Sequence, residues 1–511
     1  MNDWTAGYTT EVDYTFGYYA ELNPLRVALA LVYAGFAPPD FHSACELGFG
    51  QGVSVNIHAA ASVAHWCGND FNPAHAGFAR MLANASGASA DLVDQSFEEF
   101  CARDDLPSFD YIGLHGIWTW VSDENRRVIV DFVRRKLAVG GVLYLSYNAQ
   151  PGWAAMVPMR ELLAEHAAVM GHPGKGIPRR VDDALDFADR LLATNPIYSN
   201  VNPQVGQRLA KVKAQNRNYL AHEYFNRDWL PMSFSAVKRW LAPAKVAYAC
   251  SAHYFDNVDA LNLTADQRAL LGEIPDAMFR ETVRDYMVNQ TFRRDYWIRG
   301  ARRLNPLEQA ELVRAQRVLL VQPRPEIALK VTAGAGEATL QESIYGPLLD
   351  ALADAQPRTI RELERAVRER EITFTQLVQA IVVLAGAGHL VMVQDEAVTA
   401  QVRQRTDRLN AFLCERARGS ADVAFLASPV SGGGVPVNRF EQMFLHAHAQ
   451  GRPHADEWAQ SAWQTLSAQG QKLLREGKPI ESAEENLAQL TIDARAFNDK
   501  RLPILGALGV A

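Results

Sequence analysis

Residues 45–61, CELGFGQGVSVNIHAAA, set an acid, Glu46, ahead of three alternating glycines, Gly48, Gly50 and Gly52, at the start of a helical pattern. Glycines let a chain turn tightly from strand to helix and let a ligand approach without meeting a Cβ, while the helix start aims its unpaired N–H groups at the same spot. The spacing is ExGxGxG, which departs from the GxGxxG that holds a dinucleotide. A carboxylate ahead of the loop suits a ligand bearing an ammonium and a sulfonium and would repel a pyrophosphate. Asp70, in CGNDFNP and 22 positions after Gly48, ends the next predicted strand, the place from which an acid takes ribose hydroxyls in a doubly wound fold. Ser96 and Phe97 follow a third predicted strand, in position to receive an adenine; Phe97 fits a place in the core equally well. His115 ends the fourth strand, in FDYIGLH.

These residues need a scaffold that alternates strand and helix. NPLRVALALVYAGF, residues 23–36, has apolar positions at helical spacing, with Asn23 as cap and Pro24 at the first helical position. FHSACELG, AHWCGND, ADLVDQS, FDYIGLH and VLYLSYN read as strands, separated by GVSVNIHAAASV, PAHAGFARMLANAS, FEEFCARDD and DENRRVIVDFVRRKLAVGG as helices. AVGG is read as the stop of that last helix. The rhythm predicts an α/β, doubly wound parallel sheet. Asn148, with Pro151, Gly152 and Trp153, comes at the carboxyl edge of the fifth strand, and the NPPY motif of amide and base methylation is absent after the fourth.

Beyond Asn148 the chain turns helical, then mixed. YGPLLDALADA, TIRELERAVRE, TFTQLVQAIVVLAGAG and HLVMV resemble a winged-helix module, but their acids balance or outnumber their basic residues, so protein contact is expected rather than DNA. SPVSGGGVPVN, at 428–438, reads as a flexible loop before further helices.

At 511 residues the chain calls for two to four domains. Its net charge of −7 and the lack of a basic run argue against nucleic acid as partner. Five cysteines without a CxxC pair point to reduced thiols and no metal site. The N-terminus lacks the layout of a signal peptide, and no apolar run approaches the roughly 20 residues of a membrane span, so a cytoplasmic protein without stable membrane insertion is expected.

The ExGxGxG loop with Asp70 resembles the class I S-adenosylmethionine-dependent methyltransferases over about residues 35–150. YTTEVDYTFGYYAELNP (8–24), FDYIGLHGIWTWV (109–121) and YLSYNAQPGW (144–153) narrow the resemblance to bacterial protein-lysine methyltransferases of the kind that modify rickettsial outer-membrane protein B. YLAHEYF (219–225) and VNQTFRRDYW resemble the methyltransferase regulatory domain of such proteins. Phe49 stands where cysteine is more usual in the family; because that position presents mainly backbone, binding is expected to survive.

The resemblance, which covers about residues 8–300 with weaker support to about 400, and the pattern of elements together give the expected organisation: a Rossmann-like catalytic domain with an N-terminal aromatic cover at 1–155, a helical lid at 156–230, a regulatory domain at 231–305, a winged-helix-like domain at 306–400 and a C-terminal helical segment at 401–511. The resemblance implies S-adenosylmethionine as cofactor, held by Tyr8, Glu46, Gly48, Phe49, Gly50, Asp70, Ser96, Phe97 and His115, and a protein substrate modified on lysine. His115, Tyr14 and Trp118 are the candidate catalytic residues, His115 either as base or as a hydrogen-bonding partner of the cofactor. Tyr8, Tyr14, Tyr18, Trp118 and Trp120 are candidate walls of a lysine channel, Tyr8 and Tyr14 serving equally as a cover over the sheet. Glu223 and Tyr224 are expected in a satisfied helix contact. A small-molecule or surface-glycan acceptor, and a non-catalytic scaffold, are the alternatives.

Overall fold

The structure is a computed structural model that describes residues 15–172 and 174–511. Helix α1 (Pro24–Tyr33) starts where expected: the Asn23 side chain accepts the N–H groups of Leu25 and Arg26, and Pro24 occupies the first turn. Five strands then run parallel, β1 (Ser43–Leu47), β2 (His65–Asp70), β3 (Ala90–Asp94), β4 (Phe109–Leu114) and β5 (Leu137–Asn148). Helices α2 (Val53–Ala61), α3 (Pro73–Ser86), α4 (Phe97–Cys101) and α5 (Asp123–Lys136) connect them.

One boundary differs from the sequence reading. AVGG does not stop α5, which ends at Lys136; it opens β5, where Gly140 takes φ +86 and the register against β4 shifts between Phe109 and Tyr111. The glycine relieves an irregular strand edge instead of a helix end.

The chain next builds five helices, α6 (Val157–Val169), α7 (Ile177–Ala193), α8 (Ile197–Val201), α9 (Gln204–Lys213) and α10 (Arg217–Tyr224), around an apolar cluster of their own that includes Met159, Leu163, Leu185 and Leu209. After α11 (Phe234–Leu241), strands β6 (Val246–Ser251) and β7 (Phe292–Arg299) return to the parallel sheet. β7 pairs antiparallel with both β5 and β6, giving seven strands in the order β3-β2-β1-β4-β5-β7-β6. The segment 231–305 therefore completes the sheet rather than standing beside it, because β5 would otherwise present an unpaired edge.

Helices Glu342–Ala351, Ile360–Ala366 and Phe374–Gly386 follow, with a small antiparallel sheet of Arg317–Leu320, Arg358–Thr359 and Leu390–Val393. The C-terminal part is not all helical: Phe425–Ser428 and Gly433–Pro436 form a hairpin in place of the expected flexible loop. Its glycines lie against Asn23 and Tyr18, leaving no room for a Cβ there. Leu409, Leu413 and Trp458 share a core with Val53 and Ile57 of α2, so the last stretch of chain clamps the helix that follows the glycine loop.

Candidate functional site

Gly48, Gly50 and Gly52 all adopt left-handed backbone, φ +69, +58 and +72. A Cβ on Gly48 would stand 2.5 Å from Ile117 Cδ1, and one on Gly52 2.5 Å from Ala79 Cβ, so both conformation and packing demand glycine. The loop is tied to the end of β2: the N–H groups of Gly48 and Phe49 donate to the Asn69 carbonyl at 2.9 and 3.1 Å, and that of Gly50 donates to Asp70 Oδ2 at 2.9 Å. Asp70 Oδ1 accepts from the Asn72 N–H at 3.0 Å and lies 3.1 Å from His75 Nδ1.

This loop forms one end of a cavity of about 180 Å³ at the carboxyl edge of the sheet. Gly48, Phe49, Gly50, Asp70, Ser96, Phe97 and His115, all expected at one site, line this one cavity. Glu46 does not reach the wall. It is buried in β1, one carboxyl oxygen has no partner among the described residues, and burial pushes its pKa up to about 8. Ser96 is occupied: its hydroxyl accepts the Glu99 N–H and its own N–H donates to the Glu99 carboxylate, a capping box at the start of α4.

His115 stacks on Tyr19, ring centroids 3.6 Å apart, and its Nδ1 is 2.8 Å from the Tyr144 hydroxyl. Burial lowers its pKa to about 4, with Glu21 opposing and Arg294 adding to the shift, so the imidazole is neutral at physiological pH. Glu21 is itself 3.3 Å from Arg294. The far side of the cavity comes from Tyr19, Trp120 and residues of α10 and the turn after it: His222, Glu223, Asn226, Arg227 and Asp228. Of these, Tyr19 was missed although it neighbours the chosen Tyr18, and Glu223 was placed in a helix contact.

Three expectations are corrected by position. Trp118 is fully buried, edge-on to Trp240 with Arg126 over its face, and lies off the cavity wall; the turn Trp118–Trp120 points the first indole into the core and leaves Trp120 at the cavity. Tyr18 faces away, its hydroxyl 3.1 Å from His58 Nε2 and its ring against Phe425, because successive residues of an extended segment point to opposite sides. Glu223 lines the cavity, whereas Tyr224 packs on Trp153 as a helix contact should. Tyr8 and Tyr14 lie outside the described residues. Asn148 is buried at the end of β5, with its N–H on Thr119 Oγ1 at 2.9 Å, and does not line the cavity.

A larger cleft of about 880 Å³ lies beside β6 and β7. Arg293 there is already engaged by Glu281, Asp285 and Asp295, and no residue of the glycine loop borders it, so the smaller cavity is the candidate site.

Residues 216–299 match the family described as predicted methyltransferase regulatory domain. The chain is 41% identical to Uncharacterized protein sll1526 of Synechocystis sp. over 99% of its own length and 100% of that protein's. Uncharacterized protein RP789 of Rickettsia prowazekii is 25% identical over 55% of this chain and 51% of its own. The structure of PKMT2 from Rickettsia typhi in complex with AdoHcy superposes with a TM-score of 0.70 at 16% identity, covering 98% of this chain and 100% of that one, which establishes a shared fold. No helix among the described residues is long and apolar enough to cross a membrane.

Proposed function

We propose that the chain, which belongs to one family with the 41% identical sll1526 protein and matches the predicted methyltransferase regulatory domain over residues 216–299, is a class I S-adenosylmethionine-dependent methyltransferase that methylates lysine side chains of a protein substrate. The observation that carries the reading is the cavity itself: one end is a left-handed glycine loop braced by Asp70, the other a wall of aromatic rings and a carboxylate.

The residues present fit the cofactor. Among the described residues, Glu46 holds an unpartnered buried carboxyl oxygen behind the loop, and Asn69 Oδ1 is likewise unpartnered at the cavity. In this reading Asp70 takes ribose hydroxyls with the lone pairs its loop contacts leave and Phe97 with Ile117 covers the adenine, while Glu46, off the wall and protonated up to about pH 8, carries no charge to balance an ammonium. The bound cofactor supplies a methyl group on a sulfonium, a leaving group that needs no protonation. His115, held by Tyr144 and Tyr19, stays neutral and orients groups at the end of β4 through its second nitrogen. The lysine acceptor is supported by the resemblance of the motifs at 8–24, 109–121 and 144–153 to protein-lysine methyltransferases, and the fold is that of PKMT2, solved with AdoHcy.

Incubation of the purified protein with methyl-labelled S-adenosylmethionine and a lysate of its own cells tests this. Label recovered as methyllysine in protein is the expected result; label confined to small molecules, or none at all, overturns the lysine acceptor.

A further inference from the structure

Glu223 is the one acidic side chain on the cavity wall to which no partner can be assigned among the described residues. Asp70 is engaged on both oxygens, by the Gly50 and Asn72 N–H groups, with His75 beside it. Asp228 lies 3.2 Å from Arg227. Glu223 makes no hydrogen bond or ion pair among the described residues, and burial is the whole cause of its raised pKa, about 8. Part-buried on the cavity wall, this unpaired carboxylate is open to a cation that enters the cavity.

Its surroundings are those of a cation's receptor. Tyr19 and Trp120 line the same cavity, and their ring faces favour a positive charge. Tyr219, one turn back on α10, feels both Glu223 and Tyr19 electrostatically, and Tyr19 in turn stacks on His115. The other ionisable groups around the cavity are Tyr224, His222, Arg227 and Asp228 on its own side, Arg227 already paired with Asp228, and His115, Asp70 and His75 across it; none of the imidazoles offers an anion.

Resting on the methyltransferase reading above, we propose that Glu223 is the anchor and proton acceptor for the substrate amine, which makes the acceptor a primary ammonium. A lysine ammonium holds its proton with a pKa of about 10.4, so only about one in a thousand is a nucleophile near pH 7.5. The Glu223 carboxylate takes one proton from the ammonium; the freed nitrogen lone pair forms the N–C bond as the C–S bond breaks, leaving a thioether and a methylammonium. The protonated Glu223 then returns its proton to solvent. A carboxyl in this environment is a stronger base than an ordinary one, which brings the two proton affinities closer together.

The test uses the full chain, labelled S-adenosylmethionine and a library of lysine-centred peptides between pH 6 and 10, with AdoHcy binding measured by calorimetry for wild type, Glu223→Gln and Glu223→Asp. AdoHcy should bind all three alike, whereas Glu223→Gln should transfer methyl about 100-fold more slowly at neutral pH and regain rate by about tenfold per pH unit toward pH 10, as the free amine appears. Glu223→Asp should recover part of the loss. Wild-type rate should rise with pH and level off as Glu223 ionises, a readout that holds even if a variant fails to fold. A Glu223→Gln enzyme with wild-type rate and pH profile overturns the proposal, as does one that loses AdoHcy instead of turnover. A wild-type protein that binds no AdoHcy overturns the underlying methyltransferase reading, and one that binds it but labels no lysine overturns the lysine acceptor.

Discussion

Asp70 Oδ2 receives the Gly50 N–H at 2.9 Å, so the acid that ends β2 also holds the turn that follows β1. The carboxylate thereby has two tasks, shaping the loop and facing the cavity. Asp70→Ala should weaken AdoHcy binding by roughly 1–3 kcal/mol, the range for a lost hydrogen bond to a charged group. Calorimetry measures it, and faster amide exchange at Gly50 should accompany it. Unchanged affinity would mean that the ribose does not lie at Asp70.

Gly48→Ala should be harsher than its one methyl suggests. The new Cβ meets Ile117 at 2.5 Å and the residue must hold φ +69, a combination expected to cost about 1–3 kcal/mol. Adding Ile117→Ala should remove the collision and leave the backbone strain, so urea unfolding of the double variant should show partial recovery.

Buried ionisable groups set a pH dependence with a definite sign. The Glu46 carboxyl keeps its proton in the folded state to about pH 8, whereas an unfolded glutamate loses it near 4.5. Across that window the folded state binds more protons, and stability falls as pH rises. Glu46→Gln should therefore gain on wild type by up to about 1.4 kcal/mol per pH unit. His115 and His58 act at the other end: with pKa values lowered to about 4 and about 3, they stay neutral where unfolded histidine charges, so their contribution is lost as pH falls below 6.5. Urea midpoints from pH 4 to 8 for wild type and Glu46→Gln would separate the two effects.

The two indoles of the turn after β4 should behave differently. Trp118→Ala empties a fully buried site and should cost about 3–5 kcal/mol in unfolding free energy. Trp120→Ala, at the cavity, should cost far less stability and act on methyl transfer. Equal destabilisation by both would contradict the division.

Local pattern carried much of this protein. Asn23 and Pro24 announce α1, and ExGxGxG followed by Asp70 announces the loop and the end of β2, because caps, turns and strand ends depend on residues a few positions apart. The neighbouring choices were less legible. Tyr18 and Tyr19, like Trp118 and Trp120, differ in which side of a short irregular segment they face, and that is settled by what packs there: the hairpin glycines and Phe425 for Tyr18, Trp240 and Arg126 for Trp118.

The composition and spacing of the first 150 residues determined a doubly wound sheet with a glycine loop at its carboxyl edge. Only the tertiary structure decided that β7 and β6 complete that sheet, that a C-terminal hairpin clamps α1 and α2, and that Glu223 on α10 stands in the cavity opposite residues more than a hundred positions earlier. Helical and strand periodicities report which face of an element is apolar, whereas the partner of that face is set by long-range packing that no local repeat encodes.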